Sequence, residues 1–194
     1  MHALFRRLAA SALLALCAAF APMASAAVLS FDDIVGENGY AAVPAHYGGL
    51  DWSAGGWSAF TGEEAPYTAH SGQGRVTMGW GAEDAASTIR FAAPTVFNGA
   101  WFAGYGDAAV RFDLYLAGQL VASSATLTLS DTPAFLDAGW DGAIDAIVVS
   151  SGWHAFYVMD DFSFADATQV PEPATLALVF VGLAGCALRR RKQQ

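Results

Sequence analysis

Two pairs of adjacent aspartates have the residue type and setting that suit cation binding. Asp32 and Asp33 lie in the segment SFDDIV, and Asp160 and Asp161 lie in VMDDFSF near the other end of the chain. If both segments are strands, alternation sends one carboxylate of each pair inward, at Asp33 and Asp160. A buried carboxylate must bind a metal or accept hydrogen bonds, so two interpretations stay open: a structural Ca²⁺, or bonds to backbone amides.

Aromatic residues are the second candidate group, because indole and phenol rings stack on the C–H faces of sugars. Tyr47, Trp52 and Trp57 lie in or beside the glycine-rich stretch from Gly48 to Gly62, which we predict to be long loops. Core packing is an equally good interpretation of Trp52 and Trp57. For three other tryptophans in or beside predicted strands, the core is favoured: Trp80, Trp101 and Trp153.

Patterns typical of catalysis are weak. The acidic pairs Glu63-Glu64 and Glu83-Asp84 are of the type that serves a glycosidase, but adjacent acids in loops are usually solvated. The histidines do not have the spacing of a zinc site, and Ser150 does not lie in a GxSxG turn. The sequence therefore predicts no catalytic residue.

The elements that position these residues are strands. Alternating apolar residues precede and follow a turn at Ala117-Gly118-Gln119, which predicts a β-hairpin between Val110 and Leu129. Many short strands separated by Gly, Pro and Asp predict one all-β domain, an antiparallel β-sandwich over residues 27–168. The other predicted strands are Val28 to Val35, Arg75 to Trp80, Ser87 to Phe91, Thr95 to Tyr105, Ala143 to Ser150 and Ala155 to Phe164.

Both ends of the chain are hydrophobic. Arg6 and Arg7 precede an apolar run that ends in Ala24-Ser25-Ala26, which predicts a helical signal peptide over residues 1–26 removed by signal peptidase. The uncharged run from Ala174 to Leu188 predicts a short C-terminal helix held in the inner membrane, with the following arginines cytoplasmic. A permanent anchor is the alternative interpretation of this tail.

Charge restricts the partners of the domain between these ends. Residues 27–170 hold three arginines and no lysine against seventeen acidic residues, a formal charge of −14. Nucleic acid is excluded as a partner, because phosphate binding needs a basic surface. Both cysteines, Cys17 and Cys186, lie in the hydrophobic ends, so the domain folds without a disulfide.

The tail resembles the PEP-CTERM sorting signal of Gram-negative, exopolysaccharide-producing bacteria. The resemblance covers residues 169–194 and consists of a Pro-Glu-Pro motif, one apolar helix and a terminal arginine cluster. It implies transient anchoring in the inner membrane, cleavage near Pro171 to Pro173 by an exosortase, and release toward the cell surface or matrix. The residues that carry it are Val170, Pro171, Glu172, Pro173, Arg189, Arg190 and Arg191.

The middle of the chain resembles carbohydrate-binding modules of the galactose-binding-like jelly-roll type. FYVMDDFSF, LSFDDI and YGGLDWS carry this likeness. It implies Asp33 and Asp160 as the first Ca²⁺ ligands, with Asp32 and Asp161 next. We therefore expect an exported, non-catalytic surface or matrix protein that binds exopolysaccharide. The alternatives are a secreted glycan-processing enzyme and a purely structural matrix protein without a ligand.

Overall fold

The computed structural model describes residues 26–36, 39–78, 86–152 and 156–166, which all lie in one compact unit, Ser25–Thr168. This part is all-β and antiparallel, as predicted; both flanking helices of the prediction lie outside it. None of the described residues belongs to a helix with the length and hydrophobicity needed to cross a bilayer. The strands are β1 (Ala26–Leu29), β2 (Tyr40–Ala42), β3 (Leu50–Asp51), β4 (Trp57–Phe60), β5 (Arg75–Met78), β6 (Ala86–Gly104), β7 (Ala109–Leu116), β8 (Gln119–Ser123), β9 (Leu127–Thr128), β10 (Ala134–Asp137), β11 (Ile144–Ser151) and β12 (Tyr157–Asp166).

The long strand β6 joins two layers of sheet. Its first half pairs with β11 and β3, and β11 continues to β7 and β8. Its second half pairs with β12 and β10, and β12 continues to β5, β4 and β2. Between the halves the register against β11 jumps from Arg90 to Thr95, and the exposed Ala92, Ala93 and Pro94 fill the bend. The sequence predicted two separate strands here; the structure has one bent strand.

The main core lies between the layers and is rich in aromatic side chains. Ile89, Ile147 and Leu114 contribute from one layer and are fully buried. Phe97 and Phe162 contribute from the other, with ring centroids 4.7 Å apart. Burial of this apolar surface is the main source of stability for a domain without disulfides.

The layer that contains β12, β5 and β4 has a smaller cluster on its other face, away from the main core. The segment 61–74 covers this cluster. Phe60, Tyr67, Ala103 and Val158 are all buried there. This segment therefore covers the outer face of β12 and β6, where Asp160 accepts from its backbone and Asp161 contacts its side chains.

The predicted hairpin is confirmed, whereas the predicted first strand is partly wrong. β7 and β8 are joined by Ala117 and Gly118, both with positive φ, as a two-residue hairpin requires. The first strand ends at Leu29 rather than Val35, because Phe31 adopts a φ of 61° and turns the chain.

Candidate functional site

Trp52 and Trp57 do not form an exposed sugar-stacking surface. Each is only 2% exposed, and their rings meet edge to face at 5.6 Å inside the core. The indole Nε1 of Trp52 donates to the carbonyl oxygen of Tyr47, and that of Trp57 donates to Oγ of Ser87, both at 2.9 Å. The stacking prediction is therefore corrected for both residues, and their alternative interpretation as core residues is the one that fits.

Tyr47 lies against the same core. Its ring stacks on Phe31 at 5.6 Å, and its hydroxyl donates to Oδ1 of Asp33 at 2.6 Å. Burial and then this hydrogen bond raise the pKa of Tyr47. The phenol is thus engaged within the domain, and it fixes the exposed Asp33.

Asp33 is not directed inward, which corrects the prediction from alternation. The positive φ of Phe31 ends the strand pattern, so Asp33 is exposed in the turn that follows β1. Asp32 accepts the backbone N–H groups of Gln73 and Gly74 at 2.8 and 2.6 Å. Burial acts to raise the pKa of Asp32, but the hydrogen bonds from Gly74 and Gln73 outweigh it and lower that pKa.

Asp160 is buried, as predicted, with 2% of its surface exposed. Its Oδ2 accepts the backbone N–H groups of His70 and Ser71 at 2.8 and 2.9 Å, and its Oδ1 accepts that of Asp161. Burial is the largest influence and raises the pKa of Asp160 to about 6, although the amide bonds act in the opposite sense. This carboxylate therefore holds the segment 61–74 to β12.

Asp161 lies at an irregularity in β12 that the alternation argument missed. It has a φ of 44°, and the register against β6 shifts between Asp160 and Ser163. Val158 consequently faces the smaller cluster, whereas Phe162 faces the main core. The carboxylate of Asp161 lies 2.6 Å from Nδ1 of His70 and accepts a hydrogen bond from Oγ of Ser71 at 2.9 Å.

The four aspartates thus all have protein partners. Among the described residues, no group of three or more acidic, His or Cys side chains is arranged to hold a metal ion. The geometry fits the second interpretation, in which the carboxylates accept hydrogen bonds where the two ends of the domain meet. Ca²⁺ binding stays a prediction.

A different surface has the form of a binding site: the outer face of β6, β11 and β7. Cross-strand partners place Ala146 between Arg90 and Tyr115, Val148 between Thr88 and Asp113, and Ser150 between Ala86 and Arg111. Arg90, Tyr115 and Arg111 are much longer than Ala146 and Ser150 on the middle strand, so long side chains of the outer strands border a trough along β11. Over four residue steps the trough runs for about 13 Å.

Two hollows lie along this trough. One, of about 430 Å³, is lined by Thr88, Arg90, Tyr115, Asp145 and Val148 together with neighbouring residues. The other, of about 400 Å³, is lined by Arg111, Ser150 and residues near the far end of β11. The opposite face of the same strands is core, so the trough has a rigid floor.

Hydrogen-bond donors and acceptors alternate along the walls. Asp113 accepts from Oγ of Ser123 at 2.6 Å and pairs with the exposed Arg111 at 3.2 Å. Asp145 accepts the backbone N–H of Ala117 at 2.7 Å. Arg90 lies beside Asp51 across the β3–β6 ladder. The hydrogen bonds and the ion pair hold the carboxylates of Asp113 and Asp145 in place before any ligand arrives.

Sequence reasoning missed this surface because strand positions facing outward form no motif. One feature of the sequence did point to this surface. Residues 27–170 contain three arginines, and two of them, Arg90 and Arg111, lie at outward-facing strand positions. The residues of the predicted sorting motif, Val170 to Pro173 and Arg189 to Arg191, lie outside the described residues.

Comparison with known proteins gives one match to a protein family. Residues 169–192 match the PEP-CTERM protein-sorting motif, so the chain carries this motif at its C-terminus, as predicted. A motif of this kind implies an exported protein. No curated protein matches the chain.

The middle of the chain is similar to several solved structures. A family 29 carbohydrate-binding module shares 15% identity at a TM-score of 0.38, covering 79% of this chain and 98% of that one. A variant of such a module shares 14% identity at 0.38, covering 74% and 92%. The cleaved adhesin domain of Lys-gingipain shares 12% identity at 0.39, covering 72% and 99%.

Proposed function

We propose that this protein is an exported, non-catalytic surface or matrix protein that binds exopolysaccharide in the trough along β11. The observation that carries the proposal is the pairing of β6, β11 and β7, which places the long side chains of Arg90, Tyr115 and Arg111 along both sides of β11. A sugar chain offers hydroxyls that both donate and accept, which matches walls where arginine, aspartate and hydroxyl groups alternate. Tyr115 adds a ring on which a sugar can stack.

Charge favours a neutral polysaccharide as the ligand. Residues 27–170 carry a formal charge of −14, so a polyanion is repelled unless a cation bridges the two. Within the trough, Arg90 and Arg111 are balanced by Asp113 and Asp145. A neutral chain meets no net repulsion there.

The sorting motif explains how the protein would reach such a ligand outside the cell. In this proposal signal peptidase removes residues 1–26, the tail holds the protein in the inner membrane, and an exosortase cleaves near Pro171 to Pro173. The domain is then delivered to the surface or matrix, where polysaccharide is present. Ca²⁺ at the paired aspartates is a separate part of the proposal that chelation of the purified protein tests through its melting temperature.

The test is binding of the full-length protein, in a non-sugar detergent, to a panel of immobilised neutral and acidic polysaccharides. Saturable binding to a neutral glycan is expected, weakened about tenfold or more by Tyr115→Ala. Tyr40→Ala is the matched control, because Tyr40 is 63% exposed on the distant strand β2. Equal weakening by both variants contradicts the trough as the site. Release of shorter sugars from the bound glycan supports the glycan-processing enzyme instead.

A further inference from the structure

A cavity separate from the trough is lined by residues of the segment 61–74 and by Arg75 at the start of β5. It has a volume of about 360 Å³, within the range of small-ligand pockets. Its polar lining combines Arg75 with Glu63, Glu64, Thr61 and Gln73. Both glutamates are exposed, whereas Arg75 is only 2% exposed.

Arg75 is a buried cation held in a fixed orientation. Its Nη1 donates to the carbonyl oxygen of Gln73 at 2.9 Å, its Nη2 donates to that of Gly62, and its guanidinium lies 4.3 Å from the ring centre of Phe60. Its Nε is buried without a hydrogen-bond partner among the described residues. A buried donor left without a partner is destabilising, so an acceptor that reaches this N–H gains a hydrogen bond that the described residues do not supply.

The ion pairs in the described part of the chain do not include Arg75. Glu63, Glu64 and Asp160 are close enough to act on its charge, but none of them is a salt-bridge partner. An anionic ligand is therefore attracted by one cation and repelled by two glutamates that line the same cavity. A neutral ligand with several hydroxyls satisfies both kinds of group, since its oxygens accept from arginine and its O–H groups donate to carboxylates.

We propose that the cavity lined by Arg75, Glu63 and Glu64 is a second sugar site, which binds a single neutral sugar residue or the end of a chain. Its size separates it from the trough: a volume of about 360 Å³ suits one sugar residue, whereas the trough follows four residue steps of β11 and suits the interior of a chain. The inference rests on the proposed function for the class of ligand. It adds a second site separate from the trough, so that one molecule can hold two glycan segments.

The test measures binding of D-glucose, D-mannose, D-galactose and N-acetyl-D-glucosamine to the full-length protein by NMR. The readout is the Nε–H signal of Arg75, assigned through its correlations to the backbone of Arg75. Saturable movement of this signal with at least one sugar is expected. No movement with any of the four overturns the proposal.

Variants then locate the site. Glu64→Gln and Glu63→Gln keep the size of the side chain and remove its charge, and we expect one or both to weaken sugar binding about tenfold. Asp107→Asn, at an exposed turn outside the cavity, is the matched control and should bind as the wild type does. Unchanged binding in both glutamate variants contradicts the proposal.

The proposal for the trough and the proposal for the Arg75 cavity can be refuted independently. Tyr115→Ala should leave the Arg75 signal and its response to sugar unchanged while polysaccharide binding falls. If Tyr115→Ala abolishes polysaccharide binding and no sugar moves the Arg75 signal, only the second site is wrong. If the sugar response is present and polysaccharide binding is absent, only the trough is wrong.

Discussion

Asp160 should make the stability of this domain fall as the pH rises toward neutrality. Its carboxylate is 2% exposed, and burial, its largest influence, raises its pKa from 3.8 to about 6. A carboxyl whose pKa is higher in the folded state favours folding when protonated. The stabilisation is complete below pH 3.8 and is lost as the pH rises through about 6.

The size of the effect follows from the shift. About two pKa units at 1.36 kcal/mol each give about 3 kcal/mol between the protonated and ionised forms. This is a large share of the 5–15 kcal/mol that is typical of a folded domain, roughly enough to move the melting temperature by several degrees. Asp160→Asn removes this titration. The change in the free energy of unfolding between acidic and neutral pH should therefore be about 3 kcal/mol smaller in this variant than in the wild type.

The assay is urea denaturation of the wild type and Asp160→Asn at several pH values from 4 to 7. Because the domain is strongly acidic, every carboxylate adds some pH dependence through repulsion. Asp107→Asn removes one charge at an exposed turn and is the control for that general effect. The reasoning is refuted if the curves for Asp160→Asn and Asp107→Asn have the same slope.

The remaining predictions concern packing. Trp57→Ala should lower the free energy of unfolding by about 3–5 kcal/mol in urea denaturation, because Trp57 is 2% exposed. Trp140→Ala should lower it by about 1 kcal/mol or less, because Trp140 is 39% exposed. Gly74→Ala should lower the melting temperature by several degrees, because a Cβ there lies 2.5 Å from the backbone nitrogen of Asp32. At Gly56 nothing lies within 4 Å, and the same substitution should be tolerated. Equal effects within either pair contradict the packing described.

The strands that the sequence predicted well are those whose signals are local. The Ala117-Gly118 turn joins two alternating segments, so the hairpin followed from residues near each other, whereas the register shift between Leu114 and Tyr115 did not. The glycine-rich stretch from Gly48 to Gly62 was predicted to be loops, whereas it contains the strands β3 and β4. Its glycines do not all mark loops. A Cβ on Gly55 would lie 1.8 Å from Oγ of Ser87, so the glycine permits close packing beside the short strand that buries Trp57.

The candidate site was beyond sequence reasoning for a physical reason. The trough depends on which residues lie side by side across β6, β11 and β7, strands that are far apart in the chain. Nothing local in the sequence pairs Arg90 with Ala146 and Tyr115. Likewise, a bulge at Asp161 reverses the facing of the residues beyond it, and alternation alone cannot reveal it.

Amide NMR of the full-length protein with the polysaccharide selected by the panel tests the central claim most directly. Binding in the trough predicts that the largest shifts fall on the amides of Ala146, Val148 and Ser150 and on their cross-strand neighbours, with the glycan intact afterwards. Absence of shifts with every glycan, or shifts confined to strands of the other layer such as β4 and β5, would contradict the account.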